Sequence, residues 1–118
     1  MTLDEFFSGR AQSREIFEAV RQMVEAIGVA ETRVSTSQVA FWRRKAFAWV
    51  WIPGQYLRGK AAPLVLTIGF AYRDPSPRWK SVVEPAPGHF THHLELYSVA
   101  DIDEDVRLWL RQAWEAAA

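Results

Sequence analysis

Cysteine is absent from this sequence of 118 residues, so neither a disulfide nor a thiolate-held metal can brace the fold. That absence fits a reducing compartment. An excess of charge of one sign is also lacking: 14 basic side chains balance 14 acidic ones. The whole chain is therefore not steered toward nucleic acid or an anionic bilayer, which leaves only local patches. No run reaches the roughly 20 apolar residues that span a membrane. The opening Met1-Thr2-Leu3-Asp4-Glu5 is acidic and has no apolar stretch, unlike a signal peptide. The expected location is the cytoplasm. Gly-x-Ser-x-Gly, the P-loop and the dinucleotide glycine pattern are all missing, so the sequence names no catalytic residue and no cofactor.

Aromatic residues are what the chain does have, with six Trp, seven Phe and three Tyr. The length suits a single domain, residues 1–118, since domains run to roughly 100–150 residues. A chain of this size buries roughly two thirds of its unfolded surface, enough for one core. Thr2 and Glu5 have capping-box spacing ahead of a short turn that Gly9 ends. An amphipathic helix is predicted over about 12–27, with Ile16, Val20, Met23, Val24 and Ile27 on one stripe and Gly28 as the stop.

Strand signals begin near Arg33. Val34 and Val39 have opposite parity, which asks for a bulge or break near Ser35–Ser37. Further strands are predicted at 46–52, 64–72 and 90–97, with a short edge piece at 79–83. Residues 73–89 form the longest irregular stretch, because Pro75, Pro77, Pro85 and Pro87 forbid helix and central strand. Gly54, Gly59 and Gly69 read as turns or close packing. Asp101 and Glu104 can cap a last helix whose side carries Ile102, Val106, Trp109, Leu110, Ala113 and Trp114. The expected architecture is α+β, a two-layer sandwich. An antiparallel sheet of four to five strands carries the N- and C-terminal helices on one face.

Several stretches together resemble a bacterial family, the domain of unknown function numbered 5655. They are the first helix through Ile27-Gly28-Val29; Val39-Ala40-Phe41 with Arg43, Arg44 and Phe47-Ala48; Pro77-Arg78-Trp79; Thr91-His92 leading into Leu94 and Leu96; and Asp101-Ile102-Asp103 with Trp109-Leu110-Arg111-Gln112-Ala113-Trp114. The resemblance runs from end to end. It supports the fold and implies no reaction, cofactor or partner.

The 46–52 strand poses the functional question. Alternation puts Phe47, Trp49 and Trp51 on one side and Ala46, Ala48, Val50 and Ile52 on the other. The 64–72 strand is also apolar on both sides. Such strands are usually covered twice, yet two helices blanket one face. The second face is then covered by the proline loop with Trp79, by a second copy of the chain, or by a ligand. The leading expectation is a non-enzymatic binding or interaction module, self-associating as a homodimer or acting beside another protein. The alternative is a small-molecule binder or enzyme, with a cleft between sheet and loop lined by Arg78, His92, Trp49 and Trp51. A weaker alternative is nucleic-acid binding through the basic-aromatic turn Arg43, Arg44 and Lys45 with Lys80.

The histidines are three, His89, His92 and His93. Adjacent strand residues point to opposite faces, so His92 and His93 make a poor chelate and no metal is expected. His92 shares its side with Leu94 and Leu96, which reads as a hydrogen-bonded core histidine. The acidic run Asp101, Asp103, Glu104 and Asp105 reads as helix capping.

Overall fold

The computed structural model describes residues 1–55 and 61–118; Gly59 lies outside them. Three helices are seen, α1 (Leu3–Phe6), α2 (Ala11–Ile27) and α3 (Glu104–Ala116). Six strands, β1 (Glu31–Val34), β2 (Val39–Trp42), β3 (Ala46–Trp51), β4 (Leu64–Phe70), β5 (Ser81–Ala86) and β6 (His89–Leu96), form one antiparallel sheet in the order β1-β2-β3-β4-β6-β5. Among the described residues, no helix is long and apolar enough to cross a membrane.

Six strands replace the expected four to five, for two local reasons. The parity break at Ser35–Ser37 is a hairpin reversal: Val34 pairs with Val39, and the Ser35 hydroxyl accepts from the amides of Ser37 and Gln38. At the other edge, β5 runs through Pro85. A proline donates no ladder hydrogen bond, and the outermost strand needs none on its free side. The register shift between Val83 and Ala86 absorbs the disruption, and Gly88 closes the β5–β6 turn with φ +75°.

The helices lie on one face of the sheet. Ile16, Phe17, Val20 and Val24 of α2 and Val106, Leu110 and Ala113 of α3 are buried there with Val39, Phe41, Ala48, Val50, Leu64, Leu66, Ile68, Leu94 and Leu96. Fully burying each large aliphatic side chain contributes roughly 1.5–3 kcal/mol. Phe47 joins this core, against the expectation that it would side with Trp49 and Trp51. Trp42 pairs with Ala46 and Phe41 with Ala48, so Phe47 is the extra residue of a bulge, which breaks the alternation. Its ring lies 6.5 Å from that of Phe41.

The 73–80 segment also packs on the helix side. Trp79 sits 4.2 Å, centroid to centroid, from Trp109 of α3 and 5.0 Å from His92. It does not cover the second face of the sheet.

Candidate functional site on the open face

The face away from the helices is organised by register. Ala40 pairs with Trp49, Trp49 with Thr67, Thr67 with His93, and His93 with Ser81. Residues paired in this way project on one side, so one row crosses five strands. Trp51 stands two residues from Trp49 on the same side, paired with Val65.

Both indoles reach sideways over β4. A Cβ added to Gly69 would lie 3.6 Å from the six-membered ring of Trp49, so the glycine lets that ring settle onto the strand. The Trp51 Nε1–H donates to Thr67 Oγ1 at 3.0 Å. The two side chains leave Val65 and Thr67 only 4 % and 6 % exposed, while they themselves remain half-buried. Among the described residues, no helix lies above them. A hollow of about 500 Å³ opens here, lined by Ser37, Gln38, Trp49, Trp51, Thr67, Thr91 and His93. A second hollow of about 300 Å³ shares Trp51 and His93 and adds Lys80, Ser81, Val83 and Glu95.

At the shared centre, Thr67 Oγ1 and His93 Nδ1 are 2.8 Å apart. An indole N–H can only donate, so Thr67 already accepts from Trp51. Among the described residues its own proton has one acceptor, His93 Nδ1, so Thr67 is assigned as the donor of that bond. With Nδ1 assigned as the acceptor, His93 is a neutral imidazole carrying its proton on Nε2. Burial holds its pKa below the ordinary 6.5, with a smaller push from His92. Among the described residues, Nε2 has no hydrogen-bond partner and no buried side-chain nitrogen or oxygen is unpaired, so Nε2 reaches the surface of the hollow.

His92, one residue earlier, is the reverse. It is 0 % exposed. Its Nε2 accepts from the Asp74 amide at 2.9 Å and its Nδ1–H donates to the Phe90 carbonyl at 3.3 Å. Burial again lowers the pKa. Both nitrogens are engaged, and the ring is packed against Phe70 and Trp79.

Arg78 lies on the helix side as well. Its Nη1 donates to both oxygens of Asp103, at 2.9 and 3.0 Å, and to Asp105 at 3.4 Å; Nη2 donates to the Asp101 carbonyl at 3.2 Å. The hydrogen bond to Arg78 is the main cause holding the Asp103 carboxyl below its ordinary value. Asp74 accepts from the Trp79 indole at 2.9 Å. Pro77-Arg78-Trp79 is thus a clasp that fastens the loop to the start of α3. Of the four residues named for a cleft, the fold brings together Trp49 and Trp51 and turns Arg78 and His92 to the opposite side.

The basic turn is placed as follows. The Arg43 guanidinium stacks 3.6 Å from the Trp114 ring centroid and donates to the Trp114 carbonyl at 3.0 Å. The Arg44 amide donates to the Ala117 carbonyl. Arg44 and Lys45 are exposed. Lys80 sits beyond β4 and β6, at the other end of the strands, 3.5 Å from Glu95. In the acidic run, Asp103 is the N-cap of α3, accepting from the Val106 amide, and Asp101 accepts from the amides of Tyr97 and Ser98. Among the described residues, no group of three or more His, Asp or Glu side chains is placed to hold a metal ion.

Sequence reasoning singled out the two tryptophans and missed Thr67 and His93 as their companions. One signal was present: Thr67 is the lone polar side chain in β4. No curated protein and no solved structure matches the chain. Residues 3–117 match the family model described as a domain of unknown function, DUF5655, which takes in both the clasp and the open face. The chain belongs to the DUF5655 family.

Proposed function

We propose that the chain is a ligand-binding module whose recognition surface is the open face of its sheet, centred on Trp49, Trp51, Thr67 and His93. The observation that carries this reading is the Trp51–Thr67–His93 hydrogen-bond chain at the floor of the apolar hollow. Small-molecule sites are typically concave, roughly 300–1,000 Å³, mostly apolar, and fitted with a few fixed polar groups. Both hollows fall within that description.

Binding is favoured over catalysis by the same contacts. Thr67 is only 6 % exposed and its Oγ1 is occupied by the Trp51 indole N–H, so the hydroxyl is shielded from an incoming electrophile. Among the described residues, no carboxylate hydrogen-bonds to His93 to orient it as a base.

An NMR screen of small aromatic compounds at millimolar concentration tests the reading. Shifts are expected to cluster on the indole N–H signals of Trp49 and Trp51 and on the backbone amides of Thr67 and His93, and the amide shifts are expected to vanish in a Trp49→Ala/Trp51→Ala variant. Shifts clustered on any other surface would reject it. Light scattering at micromolar concentration adds a second readout. A monomer is expected, whereas a stable dimer lost in the same double variant would make a second copy the occupant of this face.

A further inference from the structure

We infer that the site selects an uncharged flat ring bearing a hydrogen-bond acceptor, the ring lying on Trp49 and Trp51 and the acceptor meeting His93 Nε2–H. This rests on the open face being the recognition surface, and it adds the chemistry of what is recognised.

Three observations lead there. The polarity of the hydrogen-bond chain follows from the Thr67 hydroxyl proton, which among the described residues has His93 Nδ1 as its one acceptor, while the Trp51 indole only donates to the same oxygen. The direction passes through Thr67 to His93 Nδ1, so what the chain presents to the hollow is a donor. The wanted partner is therefore an acceptor such as an amide or ring carbonyl or a ring nitrogen.

The walls set the shape. Trp49 and Trp51 lie across β4 instead of standing away from it, as their contacts with Gly69 and Thr67 require. Indoles disposed this way offer broad apolar surface to a planar group. The imidazole of His93 meets the Trp51 indole at 88°, with ring centroids 6.3 Å apart. This right-angled corner brings a donor to the side of a stacking surface.

Among the described residues, neither hollow is lined by an unpaired lysine or arginine, which disfavours an anion there. Lys80, the cation lining the neighbouring hollow, is ion-paired to Glu95. Arg33, on the β1 end of this face, is paired with Glu31 and stacked on Trp42. The neutral imidazole offers a carboxylate one hydrogen bond and no compensating charge, and a charge taken out of water without a partner is strongly disfavoured.

The test uses benzamide as probe, with toluene lacking the acceptor and benzoate carrying a charge. Affinity is read from the Trp49 and Trp51 indole N–H signals and from the imidazole signals of His93. Benzamide is expected to bind at least about tenfold more tightly than either control, the equivalent of one buried hydrogen bond. His93→Phe, which keeps a flat ring and removes the donor, is expected to reduce benzamide binding to the level of toluene. Thr67→Val, which leaves His93 in place and breaks the chain, is expected to weaken it in the same direction. Equal binding of benzamide and toluene at these residues, or benzamide binding unchanged by His93→Phe, would overturn the inference while leaving the open face as a binding surface. Tighter binding of benzoate would overturn it too, with an anion as the preferred ligand. Failure of all three probes to move the Trp49 and Trp51 signals would overturn both readings. A folded state for each variant is checked by its dispersed amide spectrum.

Discussion

The two faces of the sheet use the same kinds of side chain to opposite ends. On the helix side, a tryptophan pair (Trp79 and Trp109), a histidine (His92) and an arginine (Arg78) close on one another, and both ring nitrogens of His92, the Trp79 indole N–H and the two terminal nitrogens of Arg78 are held by the chain. On the open side, Trp49, Trp51 and His93 are assembled with equal order, yet the hydrogen-bond chain ends at an atom facing solvent. His92 and His93 are chain neighbours, and strand alternation alone sends one to each side. The lesson is that aromatic content does not distinguish a core from a site. Where the last donor points does.

The contrast is sharpened most by removing one tryptophan from each face. Trp79→Ala should lower unfolding free energy by about 3–5 kcal/mol, because it empties a packed position and removes one of the two hydrogen bonds to Asp74 Oδ2. Trp49→Ala should lower it by about 1–2 kcal/mol, because a half-buried side chain removes less area from water. Urea denaturation measures both, and equal losses would erase the distinction.

A smaller effect is expected at the helix side's margin. A Cβ at Gly28 would lie 2.2 Å from the Trp114 ring. That ring is tied by its indole N–H to the Val29 carbonyl and covered by Arg43, so it has little room to yield. Gly28→Ala should destabilise by about 1–3 kcal/mol, as overpacking does. An unchanged urea midpoint would show that Trp114 moves freely.

The gentlest probe is pH. The folded pKa values of His92 and His93 lie below the ordinary 6.5. Between those values and about pH 6.5 the unfolded chain binds more protons than the folded one, so stability is complete above that range and falls as acid is added. Replacing His92 by Asn should flatten this dependence by up to about 1.4 kcal/mol per pH unit. A midpoint that rises on acidification would mean that the histidines are paired as cations.

Much of the fold was legible because periodicity is local. The 3.6-residue stripe of α2, the capping box at Thr2 and Glu5, and the alternation of β6 need only neighbours in the chain. Phe47 was placed on the wrong face because a bulge depends on the partner strand's register, which the 46–52 segment does not carry. The edge piece expected at 79–83 runs on through Pro85 to Ala86, because only the sheet order reveals that the proline's ladder side faces solvent. The clasp joins Arg78 to Asp103, and the open-face chain joins Trp51 to Thr67 and His93. Each link crosses many residues of sequence, so neither could be read before the strands were ordered.

The most direct test is the protonation pattern of the two adjacent imidazoles, read from long-range proton–nitrogen correlations at neutral pH. Both rings are expected to be neutral and in opposite tautomers, His92 carrying its proton on Nδ1 and His93 on Nε2. A His93 ring protonated on Nδ1 alone, or on both nitrogens, would reverse the polarity of the open-face chain and contradict the account.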